Sequence, residues 1–282
     1  MPVSSNSSQR PSPEPNNGET APARQLAAFF DVDNTIIRGA SAFWLAEAMY
    51  SRDFFTVPDI IRFGWHQVAY MVFGENKRRI AAVRQRALAI VAGRSVAELT
   101  ALGEEVYDEV LAHRIFPGTK ALLDEHLAAG HQVWLITATP VEVGELIARR
   151  LGASGALATV AENKNGFYTG HLKGNMMHGE VKAEAVRALA ERENLDLENS
   201  FAYGDSINDL DLLETVGNPS PINPDPRLRL HAMNVGWPVR DFRKRRPAAR
   251  KSLQAAYGAG LFWAAMVVQR AARRWLRSKF RG

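Results

Sequence analysis

Two aspartates, Asp31 and Asp33, flank a single residue directly after the apolar run Leu26-Ala-Ala-Phe-Phe30. In extended chain, residues i and i+2 share a face, so both carboxylates point the same way at the mouth of a buried strand. Two like charges in a low-dielectric setting are costly unless a cation lies between them or one holds a proton. Asp205 and Asp209 add further acids after a second apolar run, Ser200-Phe-Ala-Tyr203. Carboxylates converging without His or Cys suit a hard, oxygen-seeking cation, and Mg2+ is the natural candidate.

The opposite charges and donors are also present. Thr137 follows the apolar run Val133-Trp-Leu-Ile136, and Lys182 lies at the start of a predicted helix. A hydroxyl with its neighbouring backbone N–H groups and a fixed ammonium can hold the non-bridging oxygens of a phosphoryl group. Phosphoryl transfer depends mainly on positioning and charge neutralisation, so a cation, a lysine and a hydroxyl around a carboxylate nucleophile are its working parts. A carboxylate that forms an aspartyl-phosphate is one known nucleophile for it. Each segment taken alone has a plainer reading. The first could be a strand-end turn, Thr137 a turn residue, Lys182 a solvated charge, and Gly204–Asp209 a capped helix start. Taken in order, each at an element boundary, they are expected to form one site.

The elements that must position these residues follow from hydrophobic periodicity. Strands are expected at 26–30, 133–136 and 200–203, and Pro221-Ile222-Asn223 reads as a last strand. Helices are expected over 117–130, after Thr137-Ala-Thr-Pro140 to about Leu151, over 180–193, and around Pro226–Met233. Residues 156–173 read as a hairpin about Asn165-Gly166. From about 41 to 112 the pattern is helical, broken at Val57-Pro58 and Gly93. Single apolar strands alternating with helices predict an α/β fold, a Rossmann-like doubly wound parallel sheet with a helical cap inserted after the first strand. Ligands in such sheets sit beyond the carboxyl ends of the strands, where Asp31, Asp33, Thr137 and Asp205 fall.

In these segments the chain resembles the haloacid dehalogenase superfamily, and within it subfamily IB, the branch containing phosphoserine phosphatase. Asp31-Val-Asp-Asn-Thr35, Thr137, Lys182 and Gly204-Asp-Ser-Ile-Asn-Asp209 stand where that family has its four ordered motifs. The resemblance covers about residues 26–240. It implies a Mg2+-dependent phosphomonoesterase in which Asp31 attacks phosphorus and binds the metal. Asp33 would protonate the leaving group, activate water, and offer its backbone carbonyl to the metal. Thr137, Lys182 and Asn208 would hold phosphate or substrate, Asp205 would ligate the metal, and Asp209 would support the metal shell from behind. The phosphatases of that branch read their substrate's amino group with a glutamate soon after the first motif. The matching position here is Ala40, so the expected substrate is phosphoserine-like or a lipid or glycerol phosphate. A phosphotransferase shares the same intermediate, and a non-catalytic scaffold of this fold, bound to membrane or nucleic acid, is the reading from another class.

Charge is unevenly spread along the 282 residues. Residues 240–282 hold 13 of the 35 Lys and Arg and one of the 30 acids, giving 13 − 1 = +12, against 22 − 29 = −7 for residues 1–239. The chain therefore divides into a leader over 1–24, rich in Ser, Pro and Asn and expected to be disordered, a body over 25–240, and a basic tail. Within the tail, 253–269 is an uncharged, mostly apolar stretch between basic flanks. It is expected to form a helix that spans the membrane, lies on an anionic membrane surface, or packs on the body. No helix-turn-helix, zinc or RNA-binding motif supports a nucleic-acid partner. The apolar cap stretch Phe54–Phe73 either packs the cap's own helices or walls a greasy ester. Absence of cysteine excludes disulfides and thiolate metal sites and fits the cytoplasm, including the cytoplasmic face of the membrane.

Overall fold

Strand β1 (Ala27–Asp31) is buried along its whole length, as an unbroken apolar run between two helical layers requires. In the computed structural model, which describes residues 24–52 and 91–243, it pairs in parallel with β2 (Gln132–Pro140) and β6 (Phe201–Tyr203). The sheet is completed by β3 (Gly155–Thr159) on one edge and β7 (Asn218–Pro219) on the other, in the order β3-β2-β1-β6-β7. Every pairing in it is parallel. Strand order therefore reverses direction at β1, and the crevice of a doubly wound sheet opens beside the end that carries Asp31.

Alternation along β1 divides the core. Ala28 and Phe30 face a layer built from α1 (Ser41–Ser51), α2 (Val96–Val106), α3 (Pro117–Ala128) and α4 (Val141–Leu151). Ala27 and Phe29 face α5 (Glu180–Glu193), α6 (Leu210–Leu213) and α7 (Pro226–Val235). The strand starts are locked by Ser200, whose Oγ accepts from Ala27 N at 2.9 Å and donates to Asp196 O at 2.5 Å. Just past β1 the chain leaves the sheet at Ile36–Arg38 and returns at Arg114–Phe116. These two segments pair through the Ile37–Ile115 bridge, Arg38 N to Arg114 O at 2.9 Å and Phe116 N to Ile36 O at 2.8 Å. Between α2 and the return, the helix continues as a π turn (Tyr107–Leu111) and a 3-10 turn (Ala112–Arg114).

Two expectations are corrected. The hairpin is the antiparallel pair β4 (Ala161–Lys164) and β5 (Phe167–Leu172), turning at Asn165 and Gly166 with φ of 53° and 82°. The residues before it belong to β3, because Gly155-Ala-Leu-Ala-Thr159 lacks charge and packs into the main sheet beside β2. The last strand is Asn218–Pro219, not 221–223, because Asn223 turns the chain with φ of 49°. Ile222 instead bridges to Arg240. The leader, the stretch Phe54–Phe73 and the segment 253–269 lie outside the described residues, among which no helix is long and apolar enough to cross a membrane.

Beneath the sheet, α3 places His126 in an aromatic nest of Phe30, Phe201 and Tyr203. Its Nε2 lies 2.7 Å from the Tyr203 hydroxyl and its Nδ1 2.8 Å from Nδ1 of His131. Burial, helped by the His131 and Arg240 charges, lowers the His126 pKa from 6.5 to about 4. The folded state thus binds fewer protons than the unfolded chain between these values, so this stability is present above about pH 6.5 and lost as pH falls through about 4. The linkage amounts to about 3 kcal/mol. Urea unfolding of His126→Gln should show a stability penalty at pH 7.5 that shrinks by pH 4.5. An equal penalty at both would show that His126 is not held neutral by the fold.

Candidate active site

Three elements deliver charged side chains to one buried point. Lys182 occupies the first turn of α5, which starts at Gly179, a residue with φ of 56°. From there its Nζ donates to Asp31 Oδ1 and to Asp209 Oδ1, each at 2.6 Å. Exposure is 6% for Asp31, 4% for Lys182 and 2% for Asp209, so the ammonium is the only described cation between two carboxylates with almost no water. Asp205 completes a group of carboxylates, with Asp31 and Asp209, whose oxygens lie within 4.8 Å of one another.

The loop after β6 explains how Asp209 gets there. Ser206 caps the 3-10 turn Ile207–Asp209, its hydroxyl accepting from Asn208 N at 3.2 Å, while Asp209 Oδ2 accepts from Ser206 N at 3.3 Å. A Cβ on Gly204 would stand 2.7 Å from the Cβ of Asp209, so glycine is what lets this carboxylate lie against the strand end. Asn208 is exposed on the turn.

The turn after β1 holds Asp33 differently. Its Oδ1 accepts from Ser41 N at 2.8 Å and Ser41 Oγ at 2.5 Å, so the side chain caps α1 and stands apart from the group of Asp31, Asp205 and Asp209. The turn itself is closed by Ile36 N and Ile37 N donating to Val32 O, and by Asn34, whose φ is 60°. Thr35 O accepts from Thr119 Oγ1 at 2.8 Å, while the Thr35 hydroxyl is buried without a hydrogen-bond partner among the described residues. Thr137 lies inside β2, before a register shift that precedes Pro140. Its hydroxyl is 2.8 Å from that of Thr139 and accepts from Thr139 N at 3.2 Å.

A strap from the far end of the body closes the floor. Buried Asn223 donates through Nδ2 to Asn34 O at 3.3 Å, and its Oδ1 accepts from Phe242 N at 2.8 Å and Arg243 N at 3.1 Å. Asp225 N donates to Asp205 O at 2.7 Å, and Asp225 Oδ2 accepts from Ile207 N at 2.9 Å. The Phe242 ring lies so close to Gly118 that a Cβ there would meet it at 2.3 Å.

The electrostatics are those of a site short of positive charge. Burial, and then the Asp209 charge, raise the Asp31 pKa well above the usual carboxylate range in spite of Lys182. Burial and Asp209 push Asp205 up to about 7, against the opposing charge of Arg243. Burial works against the Lys182 charge, but Asp31 and Asp209 outweigh it and raise its pKa. Three carboxylates against one ammonium, all oxygen donors and no imidazole, make a donor set suited to a hard divalent cation.

Sequence reasoning named Asp31, Asp33, Thr137, Lys182, Asp205, Asn208 and Asp209. The structure gathers Asp31, Lys182, Asp205 and Asp209, turns Asp33 onto Ser41, and leaves Asn208 exposed. Sequence reasoning missed Ser41, Thr139 and Asn223. Ser41 was recognisable as a cap residue before the apolar-periodic Phe43-Trp44-Leu45, but nothing local marks Asn223.

The haloacid dehalogenase-like hydrolase family model matches residues 28–214, a span that holds Asp31, Asp33, Thr137, Lys182, Asp205, Asn208 and Asp209. The chain is 52% identical over 235 residues to phosphoserine phosphatase SerB1 of Mycobacterium tuberculosis (strain ATCC 25618 / H37Rv), covering 83% of this chain and 76% of that protein. A solved structure of a protein with unknown function from Bordetella pertussis Tohama I superposes with a TM-score of 0.69 and 31% identity, over 78% of this chain and 99% of that one. The structure of a phospho-aspartyl intermediate analogue of phosphoserine phosphatase shares the fold, with a TM-score of 0.52 and 18% identity over 79% of this chain and 95% of that one. The chain belongs to the haloacid dehalogenase-like hydrolases, in the branch that contains the phosphoserine phosphatases, and is a phosphoric monoester hydrolase.

Proposed function

We propose that the protein hydrolyses a small, soluble phosphate monoester through an aspartyl-phosphate on Asp31, with Mg2+ as its metal. The observation that carries this reading is the convergence of Asp31, Lys182, Asp209 and Asp205 at the carboxyl end of β1. Asp31, Asp205 and Asp209, with the Asp33 backbone carbonyl, are the groups that would hold the ion. When bound, it neutralises carboxylate charge and draws charge from the phosphoryl oxygens.

An Asp31 carboxylate oxygen attacks phosphorus as the ester P–O bond breaks. The leaving alkoxide takes its proton from Asp33, whose Oδ1 is tied to Ser41 and whose burial raises its pKa, so the carboxyl is suited to hold that proton. Water then attacks phosphorus, gives a proton back to Asp33, and releases phosphate as the Asp31–phosphorus bond breaks. Lys182 holds Asp31 in line and, with the Thr137 hydroxyl, binds the phosphoryl oxygens. The named activity of the 52%-identical relative supports phosphoserine or a close analogue as substrate. Ala40 offers no carboxylate for an amino group, so an amine is not read at that position. We also place the protein in the cytoplasm, where the cysteine-free composition is at home, and take residues 41–112 as a cap over the site.

Purified protein assayed with phosphoserine and glycerol phosphate should release phosphate with Mg2+, lose activity in EDTA, and regain it on adding Mg2+ back. Asp31→Asn should abolish turnover, and full activity in that variant would remove Asp31 as nucleophile. Lys182→Met should lower kcat by about 10²–10³-fold, and Lys182→Arg should not restore it, because a planar fork cannot replace a point charge between two carboxylates. In Ser41→Ala, Asp33 loses a donor that holds its pKa down. The alkaline limb of kcat/KM, measured at saturating Mg2+, should therefore move to higher pH, and an unmoved limb would take the proton-donor role from Asp33.

A further inference from the structure

Helix α7 carries an apolar face that the body does not use. Asp225 caps the helix, its Oδ1 accepting from Leu228 N at 2.8 Å, and Pro226 opens it. Leu228 and Ala232, one turn apart, are fully buried on its inner side. On its outer side Leu230 and Met233 also stand one turn apart, and they are 61% and 71% exposed. Pro226, one turn before Leu230, is exposed as well. Of the five large apolar side chains exposed among the described residues, three belong to this short helix, the third being Val235 at its end. Single exposed apolar residues are ordinary, whereas a row of them along one helix face marks a contact surface.

The charge around this face has one sign. Residues 226–240 contain no acid, and Arg227 is exposed on the same side as Leu230. Among the described residues Arg227 forms no ion pair. Arg229 is paired with Asp241 at 3.0 Å, which takes up the one acid of residues 226–243 and leaves 4 − 1 = +3. Glu214 stands 3.9 Å from His231, a partly buried residue on the flank of the helix. The Arg229–Asp241 pair also lays the strap along α7, so the chain beyond Arg243 leaves the body from beside this helix. Residues 244–282 add 11 basic residues and no acid.

We propose that the outer face of α7 docks on an anionic lipid surface. Pro226, Leu230 and Met233 enter the boundary between headgroups and acyl chains, and Arg227 lies among the lipid phosphates. The cations that follow Arg243 in sequence add to the attraction. An apolar helix face with cationic flanks combines insertion with electrostatic attraction, and an anionic bilayer satisfies both at once. A second copy of the chain would set like charge against like, and a nucleic acid would leave Leu230 and Met233 in water. The face holds no group of the active site, but Asp225 ties its helix to it. Asp225 N donates to Asp205 O at 2.7 Å, and its Oδ2 accepts from Ile207 N at 2.9 Å. Docking therefore holds the body by the helix that braces the Asp205 loop.

The absence of cysteine allows a direct test on the full-length protein. Met233→Cys carries a single environment-sensitive fluorophore, with Glu191→Cys, exposed on α5, as the reference site. The Met233 label should shift to the blue with vesicles of phosphatidylcholine and phosphatidylglycerol and not with phosphatidylcholine alone. The reference label should shift with neither, and added salt should weaken the effect. In flotation with the anionic vesicles, Leu230→Glu combined with Met233→Glu should bind at least about tenfold more weakly than the unmodified protein. Leu230→Met combined with Met233→Leu should bind as the unmodified protein does, and equal thermal melting would show that both variants keep the fold. Undiminished flotation of the glutamate variant would overturn the proposal, because the basic tail alone would then hold the lipid. Equal binding to neutral and anionic vesicles would also overturn it. So would failure of the unmodified protein to float, and a dimer in light scattering that the glutamate variant breaks would then assign the face to a second copy.

Discussion

Everything in this structure is arranged around holding Lys182 between two buried carboxylates at the end of the central strand. An ammonium with 4% exposure is tolerable only because Asp31 and Asp209 both accept from it at 2.6 Å, and neither carboxylate could stay there without it. That demand sets conditions on distant parts of the chain. Helix α5 has to begin at a glycine with positive φ so that its first turn points at β1, and the loop after β6 needs a glycine so that Asp209 can lie against the strand. The parallel register of β1 with β6 then brings the two loops side by side.

The balance is incomplete in a useful way. One ammonium cannot neutralise three carboxylates, and burial, with the Asp209 charge adding to it, raises Asp31 and Asp205 above ordinary carboxylates. A site of this kind, with three carboxylates and one ammonium, has the oxygen donors that suit a compact dication. Asp33 feels the same charges but is held by other partners. Ser41 engages one of its oxygens through two hydrogen bonds, which sets its carboxyl apart from the three that are suited to a metal.

Much of this was readable from sequence, for identifiable reasons. The strands carrying Asp31, Thr137 and Asp205 are apolar runs flanked by helices, and helix 180–193 was placed at its observed bounds by periodicity. The motif residues are legible because each follows an apolar run or opens a helix, where local pattern and site position coincide. Features that depend on long-range pairing were not legible. Gly155–Thr159 looks like half of a hairpin until the sheet edge beside β2 exists to take it. The 221–223 run resembles a strand, but the positive φ of Asn223 turns the chain and leaves the run with one bridge. Ser41 as the partner of Asp33 and Trp44 as the platform for Arg114 are visible only once α1 is folded against the turn.

The hydrogen bond from Asn223 to Asn34 spans 189 positions of sequence. A chain still being synthesised presents Asp31, the threonines and Lys182 long before the residue that pins the turn after β1 emerges. The strap that Asn223 holds, Phe242 and Arg243, is made later still. Completion of the catalytic floor is thereby coupled to completion of the body, so that a prematurely ended chain would contain nearly all the reactive groups and lack the brace that aligns them.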